Sequence, residues 1–261
     1  MSRALLAALC ATDPADKCAR VADLCVADVL HAAPLEVQDL DAIPGRPVRP
    51  VLVGPSAVPR RGLGSAAGRA ALIHAVAHIE FNAINLALDA ALRFRGLPDD
   101  YYADWLSVAQ DEARHFRMLS ARLAELGHAY GDFSAHNGLW EAAEKTAHDV
   151  LVRMALVPRV LEARGLDVTP GMIGRLREVG DEVTAGILEV ILSEEVRHVS
   201  LGTHWFHALC AQRGWVPAPT FAALLNEHRM RLHPPFNLEA RTRAGFEPAE
   251  LQMCTGATAG T

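Results

Sequence analysis

The chain has 261 residues, of which 51% are hydrophobic and 21% charged, and its formal net charge is −6. These values are ordinary for a globular protein and allow a sizeable buried core. A negative net charge argues against a general nucleic-acid-binding protein, because phosphate recognition requires a basic face.

The first 65 residues are predicted to form an N-terminal extension. The pattern up to residue 33 indicates two short helices, the second beginning at Pro14 behind Asp13, a residue type favoured at helix N-caps. From Pro34 to Ser65 the chain is rich in proline and glycine but keeps interleaved valines and arginines. Such a composition favours an ordered wrap, packed on the rest of the molecule, over a free linker.

Residues 66–212 are predicted to form a bundle of four long helices. Apolar residues recur at helical spacing, and Arg95-Gly96-Leu97-Pro98 carries the glycine and proline signals that separate the first helix from the second. The stretch from Gly165 to Pro170 is expected to interrupt the third helix before it resumes as far as Val179. The first three helices are predicted over about 66–94, 99–126 and 139–164, and the fourth follows a turn at Gly180-Asp181 and runs to about Gln212.

Residues 213–261 are predicted to form a C-terminal tail with one helix, in PTFAALLNEHRMRL, and a mostly irregular end. Strand-like alternation is nearly absent, so the fold class is predicted as all-α, built around an up-down four-helix bundle. The five cysteines contain no C-x-x-C pair, and no apolar run reaches the roughly 18 residues of a spanning helix. We therefore expect a reduced, cytoplasmic protein with no membrane partner.

Two E-x-x-H motifs lie on two of the predicted long helices, Glu112 with His115 and Glu195 with His198. Residues three apart on a helix lie about 60° apart around its axis, so both side chains of a motif can reach one ion. Carboxylate plus imidazole suits iron or manganese, whereas thiolates are typical of structural zinc. A single motif arises by chance in glutamate-rich helices, but the repeat of DEARH (111–115) as EEVRH (194–198) is more specific.

Two further glutamates complete the expected site, because a dimetal bundle site takes one glutamate from each of the other two helices. Glu80 precedes Glu112 by 32 residues and Glu162 precedes Glu195 by 33, with a predicted turn near the middle of each interval. Residues equidistant from the turn of an antiparallel hairpin lie at the same height. Taken singly, each glutamate would be an ordinary surface residue. Together the six predict a dimetal site at Glu80, Glu112, His115, Glu162, Glu195 and His198.

Four charged neighbours are expected to support the two imidazoles. Metal-bound histidines usually donate their other N–H to a carboxylate, which fixes the orientation of the ring. Asp111 and Glu194 are candidates for that role, with Arg114 and Arg197 balancing their charge. The alternative is that these residues form solvated ion pairs on the outer face of the bundle.

The doubled [DE]-E-x-R-H pattern with two partner glutamates resembles the ferritin-like di-iron carboxylate proteins, such as ribonucleotide reductase small subunits and bacterial multicomponent monooxygenases. A closer resemblance, over nearly the whole chain, is to a family of uncharacterised bacterial ferritin-like proteins. That family is similar in turn to a tRNA hydroxylase, in which a segment like Glu162–Gly165 precedes the last E-x-x-H. At Asn85 this chain has an amide where the family pattern has an acid. The resemblance is carried by GRAALIHAVAHIEFNAINLALDA, DEARHF, YGDFSAHNGLWEAA, LVPRVLEARGLDVTPGM, EEVRHV and PFNLEARTRAGF.

This resemblance implies a ferritin-like bundle that holds two iron ions, or manganese or a mixed pair, and acts as an O₂-dependent oxidase or hydroxylase. An external electron donor would be needed, because the chain has no flavin motif and no iron–sulfur cysteines. The substrate would be a small molecule or a modified nucleoside. The alternative is a ferroxidase or iron-handling protein related to ferritins, which the long additions at both ends disfavour. The long helices and alanine-rich faces are compatible with a homodimer.

Overall fold

The structure is a computed structural model that describes residues 2–36, 39, 42–58 and 62–256. Within these residues the regular structure is helical, and extended backbone pairs only at two isolated bridges, Ser2 with Ala32 and Leu52 with Ala135. The predicted all-α class is therefore confirmed. The chain divides into two compact units, Met1–Glu144 and Lys145–Thr261.

The first unit contains three short N-terminal helices, so the prediction of two was wrong by one. The carboxylate of Asp13 accepts a hydrogen bond from the Asp16 amide at 2.8 Å and caps the second of them, as predicted. Two long helices follow, and a further short helix spans the boundary between the units. These helices are α1 (Ala4–Cys10), α2 (Pro14–Asp23), α3 (Val26–Leu30), α4 (Ala66–Arg93), α5 (Asp99–Glu125) and α6 (Gly138–Lys145).

The hairpin of α4 and α5 forms the core of the first unit. The Ser65 side chain caps α4 by accepting from the Gly68 amide, and Gly96, with a φ of 81°, allows the turn before Pro98 opens α5. The helix α4 is long and apolar enough to cross a membrane, but 78% of its most apolar window is buried inside the molecule. A core helix passes the same test, so this feature is weak evidence for a membrane span.

The proline-rich segment before α4 lies against the first unit where it is described. The Gly45 amide donates to the Leu9 carbonyl at the end of α1, and the Val53 amide donates to the Ala135 carbonyl. An added Cβ at Gly45 would overlap the Cys10 carbonyl, so this approach requires glycine. Residues 37, 38, 40, 41 and 59–61 of the expected wrap lie outside the described residues.

The second unit contains a π-helix, Val157–Glu162, between two α-helices. The third long helix was predicted to run unbroken from Leu139, but it restarts at Val150, because Asp149 caps the Leu151 amide and pairs with Arg213. The unit consists of α7 (Val150–Leu156), the π-helix, α8 (Ala163–Glu178), α9 (Glu182–Gln212), α10 (Pro217–Glu227), α11 (Leu238–Arg243) and α12 (Pro248–Gly256).

Two further predictions in this unit were wrong. The stretch from Gly165 to Pro170 does not interrupt the helix, since α8 continues through it and packs its apolar residues against α9. This packing outweighs the backbone hydrogen bond that Pro170 removes. The tail also forms two short helices where irregular chain was expected, because a buried ion pair between Arg241 and Asp167 (2.7 Å) fixes α11 to α8.

Candidate metal centre

The first unit brings three of the predicted ligands together. Glu80 lies on α4, while Glu112 and His115 lie one turn apart on α5, and their exposed fractions are 4%, 1% and 0%. The Nδ1 atom of His115 lies 3.2 Å from Oε2 of Glu80 and 3.4 Å from Oε2 of Glu112. The ligand atoms that these three side chains offer lie within 4.8 Å of one another. We refer to them as the first triad.

The electrostatics of the first triad favour a positive charge at its centre. Burial alone lowers the pKa of His115, but the hydrogen bonds and negative charges of Glu112 and Glu80 outweigh it and raise the pKa to about 11. Without a metal, the imidazole is therefore held as a cation between two carboxylates. A divalent ion would take over this role and release the proton, because a metal-bound imidazole nitrogen is unprotonated.

The chemistry of the first triad fits such an ion. Oxygen and imidazole nitrogen suit iron or manganese, and with the distances of about 2.0–2.2 Å that these ligand types have to zinc, two ligands of one ion lie up to about 4.4 Å apart. The offered atoms lie within 4.8 Å of one another, which is compatible with this value. The structure thus contains a buried Glu/His cluster with the donor types and spacing of a metal site.

The second unit carries the other three predicted ligands. Glu195 and His198 lie one turn apart on α9, with Oε1 of Glu195 at 3.6 Å from Nδ1 of His198, and His198 is fully buried. Glu162 is the last residue of the π-helix, which packs against α9. These three side chains are the second triad.

The π-helix is a feature of the second triad that sequence reasoning missed. Its wider turn changes the direction in which Glu162 leaves the helix compared with an α-helix, and π-helical turns are frequent at functional sites. The sequence offered a weak signal in Pro158, since a proline next to a predicted ligand indicates that the local backbone is irregular.

The charged neighbours are only partly as predicted. Arg114 pairs with Asp111, Nη2 to Oδ1, at 2.8 Å, and both side chains are partly exposed. The arginine thus balances the acid, as expected for either interpretation. Glu194 is half-buried and Arg197 is exposed on α9. Their support of the imidazoles stays a prediction.

A histidine–tyrosine network beside the first triad was also missed by sequence reasoning. Nδ1 of His78 is hydrogen-bonded to the Tyr130 hydroxyl at 2.9 Å, and Nε2 of His74 accepts from the Gly131 amide at 2.9 Å. Burial lowers the pKa of both histidines to about 4, so both are neutral at physiological pH. The Tyr130 ring contacts Phe81, which directly follows Glu80 in the chain.

Comparison with known proteins places the chain in a family. Residues 10–252 match the family described as Protein of unknown function (DUF455). The chain belongs to this family. The DUF455 region includes both triads and the network around Tyr130, so these are features of the family region and not of a separate addition. No solved structure matches the chain.

A relative from Haemophilus influenzae (strain ATCC 51907 / DSM 11121 / KW20 / Rd) is 43% identical over 258 residues. The match covers 94% of this chain and 90% of that protein, which is described as an uncharacterized protein. This degree of identity over almost the full length indicates a shared fold. It gives no activity for either protein.

Proposed function

We propose that this DUF455 protein is a ferritin-like four-helix-bundle metalloprotein with a di-iron centre, and that it acts as an O₂-dependent oxidase or hydroxylase. The observation that carries the proposal is the first triad. Two carboxylates at 4% and 1% exposure are costly to bury unless a cation compensates them.

The second triad supports a second ion. It repeats the ligand types and the E-x-x-H spacing of the first, on a different pair of helical elements. With both imidazoles neutral, four glutamates carry a charge of −4, which two divalent cations balance. We propose that the two triads are the halves of one dimetal centre, which requires the four long helical segments to form one bundle.

A pair of iron ions in such a centre would supply O₂ activation, and the oxidising equivalents would act on a bound substrate. The residues of the chain would hold the ions and exclude water, because both imidazoles are fully buried. The proton that His115 holds in the metal-free protein would leave when the site is loaded. Storage of iron, as a ferritin-related protein, is the alternative function.

Metal analysis of the full-length protein tests the proposal. We expect about two metal ions per chain in the purified protein, and a near-ultraviolet absorbance change when anaerobic, Fe(II)-loaded protein is exposed to air. The isosteric variant Glu112→Gln should lose most of its metal, since it removes one negative charge from the first triad. The matched control is Glu125→Gln, an exposed position on the same helix that pairs with Arg122.

The outcomes distinguish an oxidase from a storage protein, and both of these from a protein without the metal site. Iron uptake far above two ions per chain would favour storage, while substrate-dependent O₂ consumption at two ions per chain would favour the oxidase. Equal metal contents in Glu112→Gln and the parent protein would overturn the metal site itself.

A further inference from the structure

A cavity of about 420 Å³ lies in the first unit, between α2, α5 and the segment after α5. This volume is within the range of small-molecule sites. Its depth is lined by aromatic rings and a thiol: Phe116 and Cys18 are 4% and 2% exposed, and Tyr130 is half-buried. The Phe116 and Tyr130 rings meet edge to face at 5.0 Å. These side chains would contact a planar or branched apolar body.

One residue of the lining carries an unused hydrogen-bonding group. The Ser120 hydroxyl oxygen is buried, and within the part of the chain that the structure describes it has no hydrogen-bond partner. A buried hydroxyl without a partner is unfavourable unless a ligand or water satisfies it. The Tyr130 hydroxyl is different, because it is hydrogen-bonded to His78.

The rim of the cavity carries one cation that is available to a ligand. Arg117 is exposed, and it forms no ion pair with any residue in the described ranges. Burial raises the pKa of Cys18 to about 11 while the charge of Arg117 acts against this rise, which places the guanidinium charge near the cavity. Asp13, another residue of the lining, is already used as the N-cap of α2. The apolar methyl groups of Ala15 and Ala19 complete the rim.

We propose that this cavity binds a small molecule with an aromatic body and one anionic group, the body lying on Phe116 and Tyr130 and the anion pairing with Arg117. A ring system gains contact with the two aromatic side chains, and the guanidinium binds a carboxylate or sulfonate through charge-assisted hydrogen bonds. A second anionic group would be repelled by Asp13. The ligand is therefore a monoanion.

Residues of the cavity lining are neighbours of the first triad, either in the sequence or by contact. Phe116 directly follows His115 on α5, and Tyr130 contacts Phe81, which follows Glu80. If the proposed function holds, this is the site for its substrate or for a product-like inhibitor. That assignment rests on the proposed function, whereas binding at the cavity does not.

Binding of 1-anilinonaphthalene-8-sulfonate tests the proposal, because this probe combines an aromatic body with one sulfonate. We expect saturable binding of one molecule per chain, followed by its fluorescence. Arg117→Gln should weaken binding at least fivefold and change the affinity for the uncharged analogue N-phenyl-1-naphthylamine less than twofold. Ala19→Phe should abolish binding of both probes by filling the cavity from an exposed helix position.

Matched variants control for surface changes. Arg122→Gln, the control for Arg117→Gln, removes a cation from α5 at a position that does not line the cavity. Ala22→Phe, the control for Ala19→Phe, adds a ring to α2 one turn further along, also outside the cavity lining. Neither should change the affinity by more than twofold. Absence of saturable binding, or binding that survives Ala19→Phe, would overturn the proposal. A loss in Arg117→Gln that is equal for both probes would overturn the role of the charge.

The same variants separate this proposal from the proposed function. Glu112→Gln should lose metal and still bind the probe, while Ala19→Phe should keep its metal and lose the probe. If no metal were found, the evidence from probe binding would still support the cavity. If the probe did not bind, the metal analysis would still support the metal site.

Discussion

Lys17 of the first unit is fully buried and yet carries an ionisable amine. Its Nζ donates to the carbonyls of Ala8 and Leu9 at 3.2 and 2.7 Å and to Oδ1 of Asn85 at 2.7 Å. The amine therefore joins the end of α1 to α2 and α4. Burial lowers the pKa of Lys17 from 10.5 to about 7.

This pKa predicts how stability depends on pH. Between pH 7 and 10.5 the unfolded chain keeps a proton on Lys17 that the folded protein has released, so the free energy of unfolding rises with pH in this window. Lys17→Met removes the effect. From pH 7 to 9 the parent protein should gain about 2 kcal/mol relative to Lys17→Met in urea unfolding.

Lys145 provides the matched control, because it is the other lysine of the chain and is exposed at the end of α6. Lys145→Met should follow the parent at every pH. If the difference between the parent and Lys17→Met were the same at pH 7 and 9, the three carbonyl oxygens around Nζ would be holding the amine as a normal cation in the folded protein.

At the scale of elements, the close approach of α9 to the π-helix determines where Glu162 lies. A Cβ at Gly202 would overlap the Cβ and Cγ atoms of Pro158, so a larger residue cannot be accommodated without moving one of the two helices. Glycine at this position thus allows the helices to pack closely, at the usual conformational cost of a helical glycine.

Gly202→Ala should therefore destabilise the protein by about 1–3 kcal/mol, the range for overpacked cores. It should also lower the metal content, because displacement of the π-helix moves Glu162. Gly186→Ala on the same helix is the control: nothing lies within 4 Å of its added Cβ, and the change should stabilise by roughly 0.5–1 kcal/mol. Urea unfolding and metal analysis measure both effects. An unchanged metal content in Gly202→Ala would argue against Glu162 as a ligand.

The elements also indicate which features sequence patterns can predict. The bounds of α4 and α5 agree with prediction within a residue, because a glycine and a proline between them are local signals that act whatever the surroundings. The start of α7 and the continuation of α8 through Pro170 depend on distant partners, Arg213 and the apolar face of α9. Such tertiary contacts override the local helix propensity, and the sequence around the affected residues gives no sign of them.

The candidate site was predictable to a different extent in each half. The pairing of Glu80 with Glu112 and His115 followed from their equal distance to one sharp turn, and their ligand atoms do lie together. Glu162 lies at the end of a π-helix, which has more residues per turn than an α-helix. Equal distance from the turn therefore does not predict the position of Glu162 opposite Glu195 and His198. Elsewhere in the second unit, Arg159 of the π-helix lies over the rings of Phe206 and Phe221 and forms a buried ion pair with Glu250. This cluster could not be predicted from the sequence, because the three partners lie on three separate helices.

At the scale of the whole molecule, a bound dimetal centre should contribute to stability through mass action. At a free metal concentration of 100 times the dissociation constant, the gain is about 2.7 kcal/mol for one site. For a chain of this size that corresponds to a rise of roughly 5–10 °C in the melting temperature. Removing both ions with a chelator should lower the melting temperature by at least this amount in a thermal scan.

The same scan on Glu112→Gln is the control, because a protein that has lost its metal has nothing for the chelator to remove. Its melting temperature should not respond to chelation. A parent protein that holds two ions and melts at the same temperature with and without them would show that the ions bind the unfolded chain equally well.

The burial of Lys17 has a practical consequence for handling the protein. The chain has two lysines, and one of them is enclosed. Reagents that acylate primary amines therefore find one side-chain target, at Lys145, besides the terminal amine. Molecules attached to a sensor surface through Lys145 would share one orientation, with the cavity at α2 left unmodified.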